Sequence, residues 1–422
     1  MNILFAGGGF SNKGDEAMML TLHRELTKRL PGANCIIRTS PKGREEAYAH
    51  GLFASTSSGG PMRRALHFAG ACATNKDVRR ASRLDRIIAE AIDEVGDIDC
   101  VVDFSGFNYS DDWGVVNARR GLAWADYCRT NNKPFLCLPQ AWGPFHVPAV
   151  ADAVRQLCSC ASLVYARDKV SLSYLQELLG PGSEHVKMAP DIAFLFSGDS
   201  PLAGREFLKS CGVDVEQSPL VAITPNLRVY ERCPGRGTAN EYVRLLTVVA
   251  NHCIRDWGAS VILIPHMFSM HEPPQEDDRL LCGLVEVAVS NPSRCFMVRR
   301  YISAAMAQSI EGHMDLMIGS RFHSCVFALS AGIPAVALGW THKYPELMAL
   351  VGLDQSALIH VDFSPARVTG LLDAAWERRD RARATIQEHL PRIREEVSQL
   401  FDTVAAVLNG RSAQVAGCVM SA

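Results

Sequence analysis

Short apolar runs alternate with amphipathic stretches along most of this chain, and that alternation sets its architecture. Residues 2–6, 34–38, 99–104, 134–139, 162–166 and 185–188 are apolar runs of strand length, as are 220–224, 260–264, 295–298, 315–318 and 335–338. Between them lie segments with helical spacing; over 16–29, for example, Met18, Leu22 and Leu26 share one stripe. Buried strands separated by helices predict βαβ units and parallel sheets. The pattern comes in two blocks, with a polar stretch at 197–216 between them. The expected fold is therefore α/β, with two Rossmann-like domains (1–200 and 217–365) facing each other across a cleft. The charged helical stretch 366–408, broken at Pro391, is expected to cross back onto the N-terminal domain, and 409–422 to form a disordered tail. Residues 51–73, rich in Ser, Gly and Ala, predict a mobile excursion. Residues 76–86 form a basic helical pattern, either a solvated face or a surface for an anionic acceptor.

Composition narrows the class. A chain of 422 residues exceeds one typical core. Its formal net charge of -2 lacks the basic excess of phosphate-backbone binders, so no nucleic acid partner is expected. The 14 cysteines are scattered without a C-x-x-C pair, which argues against zinc ribbons and disulfide scaffolds and for a reducing compartment. The uncharged stretch between Arg321 and Lys343 is long enough to span a membrane, but Ser330, Gly332, Pro334 and Gly339 divide it into a helix and a strand. Residues 1–6 have no basic leader, so a cytoplasmic protein is expected.

In doubly wound sheets ligands bind beyond the carboxyl ends of the strands. The loops predicted there hold Gly7-Gly8-Gly9 through Asp15, Ser105–Asn108, Gln140–Phe145, Arg167-Asp168, Asn226–Arg228, His266, Arg321–Ser324 and Thr341–Tyr344. The first loop has no G-K-[ST], and Asn12 stands where a dinucleotide fingerprint needs its third glycine. It is either a tight turn, with Asp15 and Glu16 complementing a helix start, or a place where a sugar or phosphate approaches Gly8 and Gly9 closely. Arg167 beside Asp168, and Arg228 beside Asn226, describe structural pairs as well as they describe anion ligands. His266 reads as a loop histidine or a substrate contact. The Arg321-Phe322-His323-Ser324 turn is more pointed, because it puts an arginine and a histidine at a helix start, where free N–H groups favour anions. Lys343 lies one βα unit further on, at the same sheet edge. Three cations there suit a compact, multiply charged anion such as a carboxylate-phosphate. With no D-x-D motif or carboxylate cluster, no metal is expected. Gln140 lies on a candidate loop, and Trp142 or Trp340 could stack on a sugar.

Several of these segments together resemble the polysaccharide pyruvyl transferases. They are Gly7-Gly8-Gly9 with Asn12-Lys13-Gly14-Asp15-Glu16-Ala17, Ala166-Arg167-Asp168, Asp191-Ile192-Ala193-Phe194, and above all Gly319-Ser320-Arg321-Phe322-His323-Ser324 with the small-residue helix and Gly332-Ile333-Pro334 after it. They occur in the family's order over roughly residues 1–350. The resemblance implies a fold similar to the GT-B glycosyltransferases, and transfer of the enolpyruvyl group of phosphoenolpyruvate onto a sugar, giving a pyruvate ketal and phosphate. It implies catalytic roles for His323, Arg167 and Lys343, with Arg321 as a further anion contact, and no cofactor beyond the donor substrate. His323 is the natural acid for the methylene carbon. The acceptor would be a glycan or lipid-linked sugar. Polymer-modifying relatives work at the inner membrane face, which implies peripheral membrane association, here through Arg79, Arg80, Arg83 and Arg86. Two rivals stay open: a nucleotide-sugar glycosyltransferase on the same fold, and a non-catalytic phosphosugar-binding homologue.

Overall fold

The computed structural model describes residues 1–39, 43–56, 97–183, 185–269 and 276–410. The basic segment 76–86, with Arg79, Arg80, Arg83 and Arg86, lies outside the described residues, as do 57–73 of the expected excursion and 411–422 of the expected tail.

The strands form two sheets in which every pairing is parallel. The first contains β1 (Asn2–Ala6), β2 (Asn34–Thr39), β3 (Phe53–Thr56), β4 (Cys100–Asp103), β5 (Phe135–Gln140), β6 (Leu163–Ala166) and β7 (Val186–Met188), in the order β3-β2-β1-β4-β5-β6-β7. The second contains β8 (Leu220–Thr224), β9 (Ser260–Leu263), β10 (Cys295–Met297), β11 (Leu316–Gly319), β12 (Ala335–Gly339) and β13 (Ala357–Ile359), in the order β10-β9-β8-β11-β12-β13. Both sheets are α/β and Rossmann-like. In each, the order reverses once, beside β1 and β4 in the first and beside β8 and β11 in the second. The central strands β4, β5, β8 and β11 are buried along their whole length, as expected of strands covered on both faces.

The chain divides into two compact units. One comprises Met1–Phe10, Met19–Asp191 and the chain from Ser398 on; the other comprises Ser11–Met18 and Ile192–Val397. Residues 11–18, the end of the glycine loop and the first turn of the Lys13–Arg29 helix, thus belong with the second sheet. In the polar stretch 197–216 lies a helix, Pro201–Ser210, capped by Ser200 and anchored by buried Phe207 and Leu208.

Two local expectations are corrected, and one strand was not anticipated. Residues 53–56, expected within a mobile excursion, form β3, because Phe53-Ala54-Ser55-Thr56 pairs with β2 as an edge strand. The half-buried edge strand β13 is too short to register as an apolar run. Pro391 does not break the last helix, which runs from Arg379 to Leu408. A proline removes one hydrogen bond, but buried Ile386, Leu390, Ile393 and Val397 fasten the helix on both sides of it. Among the described residues, no helix is long and apolar enough to cross a membrane.

Candidate active site

In the second unit, the loops leaving β8 and β11 meet where the strand order reverses. Asn226 fastens them together: its Nδ2 donates to Ser320 O at 2.8 Å, its Oδ1 accepts from Arg228 N, and its backbone N–H donates to Tyr242 Oη. Thr224 Oγ1 and Ser324 Oγ lie 2.6 Å apart, and Ser324 Oγ also donates to Arg321 O. Asn226 and Ser324, expected to bind substrate, are buried and engaged in holding these loops. Their polar atoms fix the shape of the site.

Arg321 occupies the N-cap position of the nine-residue Phe322–Ser330 helix without a side-chain capping bond. Its Nε and Nη2 donate to both oxygens of Asp278, at 2.8 and 2.7 Å. Burial pushes the Asp278 carboxyl up, with the Arg321 guanidinium opposing. The same carboxylate accepts the backbone N–H groups of His266 and Met267, so it joins the β9 loop to the arginine. Nη1 of Arg321 makes no hydrogen bond among the described residues.

His323 follows in the first turn of that helix, almost buried, with its ring edge-on to Phe322. It lies against the first turn of the Lys13–Arg29 helix so closely that a Cβ on Gly14 would fall 1.9 Å from Nδ1. Only glycine fits there. The neighbouring Lys13 is fully buried, its Nζ 2.6 Å from Glu16 Oε2 and 4.1 Å from the centre of the Tyr301 ring. Glu16 Oε1 accepts from Ala304 N, and Lys13 N donates to His266 O. Asn12 forms an antiparallel bridge with Met267 and accepts Gly14 N on its Oδ1, so it too shapes the turn. Asp15, partly exposed in the same first turn, complements the helix start.

His266 is buried, its Nε2 2.5 Å from Oε1 of Glu311, the equally buried last residue of the Ala304–Glu311 helix. Burial, with Arg321, His323 and Lys13 nearby, pushes His266 well below the ordinary imidazole value. Burial pushes the Glu311 carboxyl well above its usual range. Lys343 begins the Lys343–Leu350 helix, its Nζ 4.9 Å from the Trp340 ring centre, 5.5 Å from Tyr344 and 5.9 Å from Phe322. Phe322 thus neighbours both the lysine and His323, and Tyr344 Oη donates to Ser320 O. Arg228 is paired with Glu276 and Glu231.

Arg321, His323 and His266 thus lie on neighbouring loops of the second unit, and Lys343 stands at that helix start, against Phe322. The same unit adds Lys13, Glu16, Asp278 and Glu311. Lys13 and Glu16 stand in the motif that carried the resemblance, and their spacing of three allows a pair on one helix face. Asp278 and Glu311 have no sequence signal, because each meets its partner only through the fold.

Arg167, Gln140, Trp142, Gly8 and Gly9 belong to the first unit. Arg167 Nη1 donates to Asp191 Oδ2 at 2.8 Å, both side chains being buried, while Asp168 caps the Lys169–Leu179 helix. The ion pair next to the Ala166 strand end is thus Arg167–Asp191. Gln140 is fully buried, and its amide has no hydrogen-bond partner among the described residues. Trp142, expected to stack on a sugar, is corrected: it is enclosed in the core, stacked on Tyr109 at 5.0 Å, with Nε1 donating to Tyr165 O. Its burial leaves no ring face for a ligand. Gly8 has a positive φ of 82° and lies so close to Phe104 that a Cβ would meet the ring at 2.6 Å; Gly9 is in open space at φ 152°. Beyond β1 and β4, Gly8 and its neighbour Gly7 border a cavity of about 160 Å³, lined also by Arg38, Asp103, Asn108 and Arg120; Gly9 is not part of its lining.

Two Rossmann-like domains with polar loops beyond each strand-order reversal define a GT-B-type α/β protein. HepE of Anabaena, solved in complex with UDP, superimposes with a TM-score of 0.58 at 15% identity, over 99% of this chain and 100% of that one. The spinosyn rhamnosyltransferase SpnG gives 0.52 at 12% identity, over 96% and 99%. These likenesses show the fold. The model of the polysaccharide pyruvyl transferase family matches residues 12–342, and the chain belongs to that family. The amylovoran biosynthesis protein AmsJ of Erwinia amylovora is 24% identical over 304 residues, 71% of each chain. The protein is accordingly a transferase of a glycan-modifying family.

Proposed function

We propose that this protein transfers the enolpyruvyl group of phosphoenolpyruvate onto a sugar of a polysaccharide or its lipid-linked precursor, forming a pyruvate ketal and releasing phosphate. The observation that carries the reading is the gathering of Arg321, His323 and Lys343 around the start of one helix, beyond the reversal point of a parallel sheet. Nη1 of Arg321, the first N–H groups of the Phe322–Ser330 helix and Lys343 suit the carboxylate and phosphate of the donor. His323 delivers a proton to the methylene carbon, which leaves the central carbon open to a sugar hydroxyl. A second hydroxyl then displaces phosphate, closing the ketal. Of the four hydrogens in play, the two hydroxyl protons balance the new methyl hydrogen and the proton carried away on phosphate. Arg167 enters the proposal as a catalytic residue on the family resemblance. The first unit's cavity, bordered by Gly8, fits the acceptor sugar. The reading invokes no metal or cofactor, and places the protein in the cytoplasm at the inner membrane face.

The test is phosphate release from phosphoenolpyruvate across a panel of sugar acceptors, with mass spectrometry for a product heavier by pyruvic acid less water. His323→Gln is expected to bind phosphoenolpyruvate and fail to turn over. Near-normal turnover in that variant would remove the acid role. Release of nucleotide from a nucleotide sugar, with phosphoenolpyruvate inert, would replace the donor.

A further inference from the structure

His266 and Glu311 have no part in the chemistry above, yet they are the most tightly enclosed titratable pair beside it. The bond between Nε2 and Oε1 measures 2.5 Å, and both side chains are essentially without solvent contact. The other two polar atoms of the pair, His266 Nδ1 and Glu311 Oε2, have no hydrogen-bond partner among the described residues. Orphaned buried polar atoms carry a cost of about 1–3 kcal/mol each and call for an explanation. The location supplies one. His266 O is bonded to Lys13 N, next to Gly14, where a Cβ would fall on the His323 ring, and Arg321 is tied to the His266 backbone through Asp278. His266 is therefore the member of the pair nearer the anion-binding groups, and Glu311 stands behind it on another helix.

We propose that Glu311 and His266 form a one-proton switch: the proton rests on Glu311 while the site holds no anion, and moves to His266 when an anion binds beside Arg321 and His323. The O–H bond at Glu311 Oε1 breaks as the N–H bond at His266 Nε2 forms, with no proton gained or lost by the pair. In the resting state both partners are neutral, the arrangement that burial favours for each. Each charged group facing the imidazole bears on the balance. Lys13 from the first turn of its helix, and Arg321 and His323 from the Phe322–Ser330 helix, oppose an imidazolium. Asp278, paired to Arg321, and Glu16, paired to Lys13, moderate those cations. Cys325 faces Glu311, its thiol pushed up by burial. A carboxylate-phosphate ligand would neutralise the opposing cations, making the carboxylate–imidazolium form the lower in energy. His266 would then add a positive charge to the site only while a ligand occupies it. Glu311 is in this sense a positioning residue. The inference rests on the phosphoenolpyruvate reading only for the identity of the anion.

The test is NMR of the full chain carrying nitrogen-15 histidine, with the His266 signals assigned by comparison with His266→Gln. Without anion, Nε2 is expected to give the shift of an unprotonated acceptor. Saturation with phosphoenolpyruvate, and separately with inorganic phosphate, is expected to move it to that of a protonated nitrogen. A His266 already doubly protonated without anion, or unchanged with anion bound, overturns the switch. If phosphoenolpyruvate fails to bind while phosphate still moves the signal, the donor assignment falls and the switch stands. Glu311→Gln keeps a donor toward Nε2 but has no proton to give up. It is expected to lose the response and to bind phosphoenolpyruvate about tenfold more weakly, which corresponds to about 1.4 kcal/mol. Should that variant not fold, the titration of the unaltered chain decides alone.

Discussion

Replacing Gly14 with alanine tests the site at its tightest contact. The new Cβ would lie 1.9 Å from His323 Nδ1 and 2.2 Å from Cγ, where ordinary contact begins at 3.4 Å. The ring would have to retreat by about 1.5 Å, because the helix turn bearing Gly14 is pinned by Lys13 N to His266 O and by Glu16 Oε1 to Ala304 N. Overpacking of this kind costs roughly 1–3 kcal/mol. Alanine returns up to about 1 kcal/mol over glycine within a helix, so stability should fall by roughly 0–3 kcal/mol and the variant should fold. Turnover should suffer far more, since a displacement of about 1 Å in a reacting group can cost about 100-fold. The assay is phosphoenolpyruvate-dependent phosphate release, alongside circular dichroism and thermal unfolding. A folded Gly14→Ala protein with turnover within a few-fold of the unaltered chain would refute both the seating of His323 against this helix and its role as the acid.

Arg321→Lys keeps the charge but loses the two-pronged grip on Asp278, and urea unfolding should register a loss of about 1.5–3 kcal/mol; no loss would mean the pair adds nothing to stability. Lys13→Met leaves the buried Glu16 carboxylate without its ammonium partner and should cost about 3–5 kcal/mol by denaturant titration. Lys13→Met with Glu16→Gln should recover much of this, because glutamine still accepts Ala304 N; a double variant no better than the single would break the argument. Burial works to raise the Glu25 carboxyl, but hydrogen bonds from Arg29 and Arg24 more than reverse it, and it titrates below the ordinary glutamate value. Its contribution to stability is therefore present above the ordinary value and lost as pH falls through the lowered one, so Glu25→Gln should flatten the acid limb of a stability–pH curve.

Much of the fold was legible because parallel strands buried on both faces leave uninterrupted apolar runs. β1 and β8 fall at the expected residues, 2–6 and 220–224. The edge strands β3 and β13 were illegible for different reasons: β3, Phe53-Ala54-Ser55-Thr56, mixes polar with apolar residues as an edge strand can, and the three apolar residues of β13 are too few to mark a run. At the site, Arg321, His323 and Lys343 could be found in the sequence because strand ends, helix starts and charges coincide there. Trp142 could not be assigned, since the same residue next to a strand end serves equally as a stacking face or as core, and packing against Tyr109 decides it. Arg167 stands beside Asp168 in sequence, yet its partner is Asp191, 24 residues away.

The sequence by itself determined the alternation of strands and helices, the sheet edge on which the candidate functional groups lie, and the identity of the Arg321-Phe322-His323 turn. Those properties depend on local periodicity and on which loops follow which strands. Only the tertiary structure decided that residues 11–18 belong with the second sheet, that Gly14 seats the His323 ring, and that Glu311 stands behind His266. Each of these is a contact between residues tens to hundreds of positions apart. Their geometry follows from the packing of whole elements, to which local sequence carries no pointer.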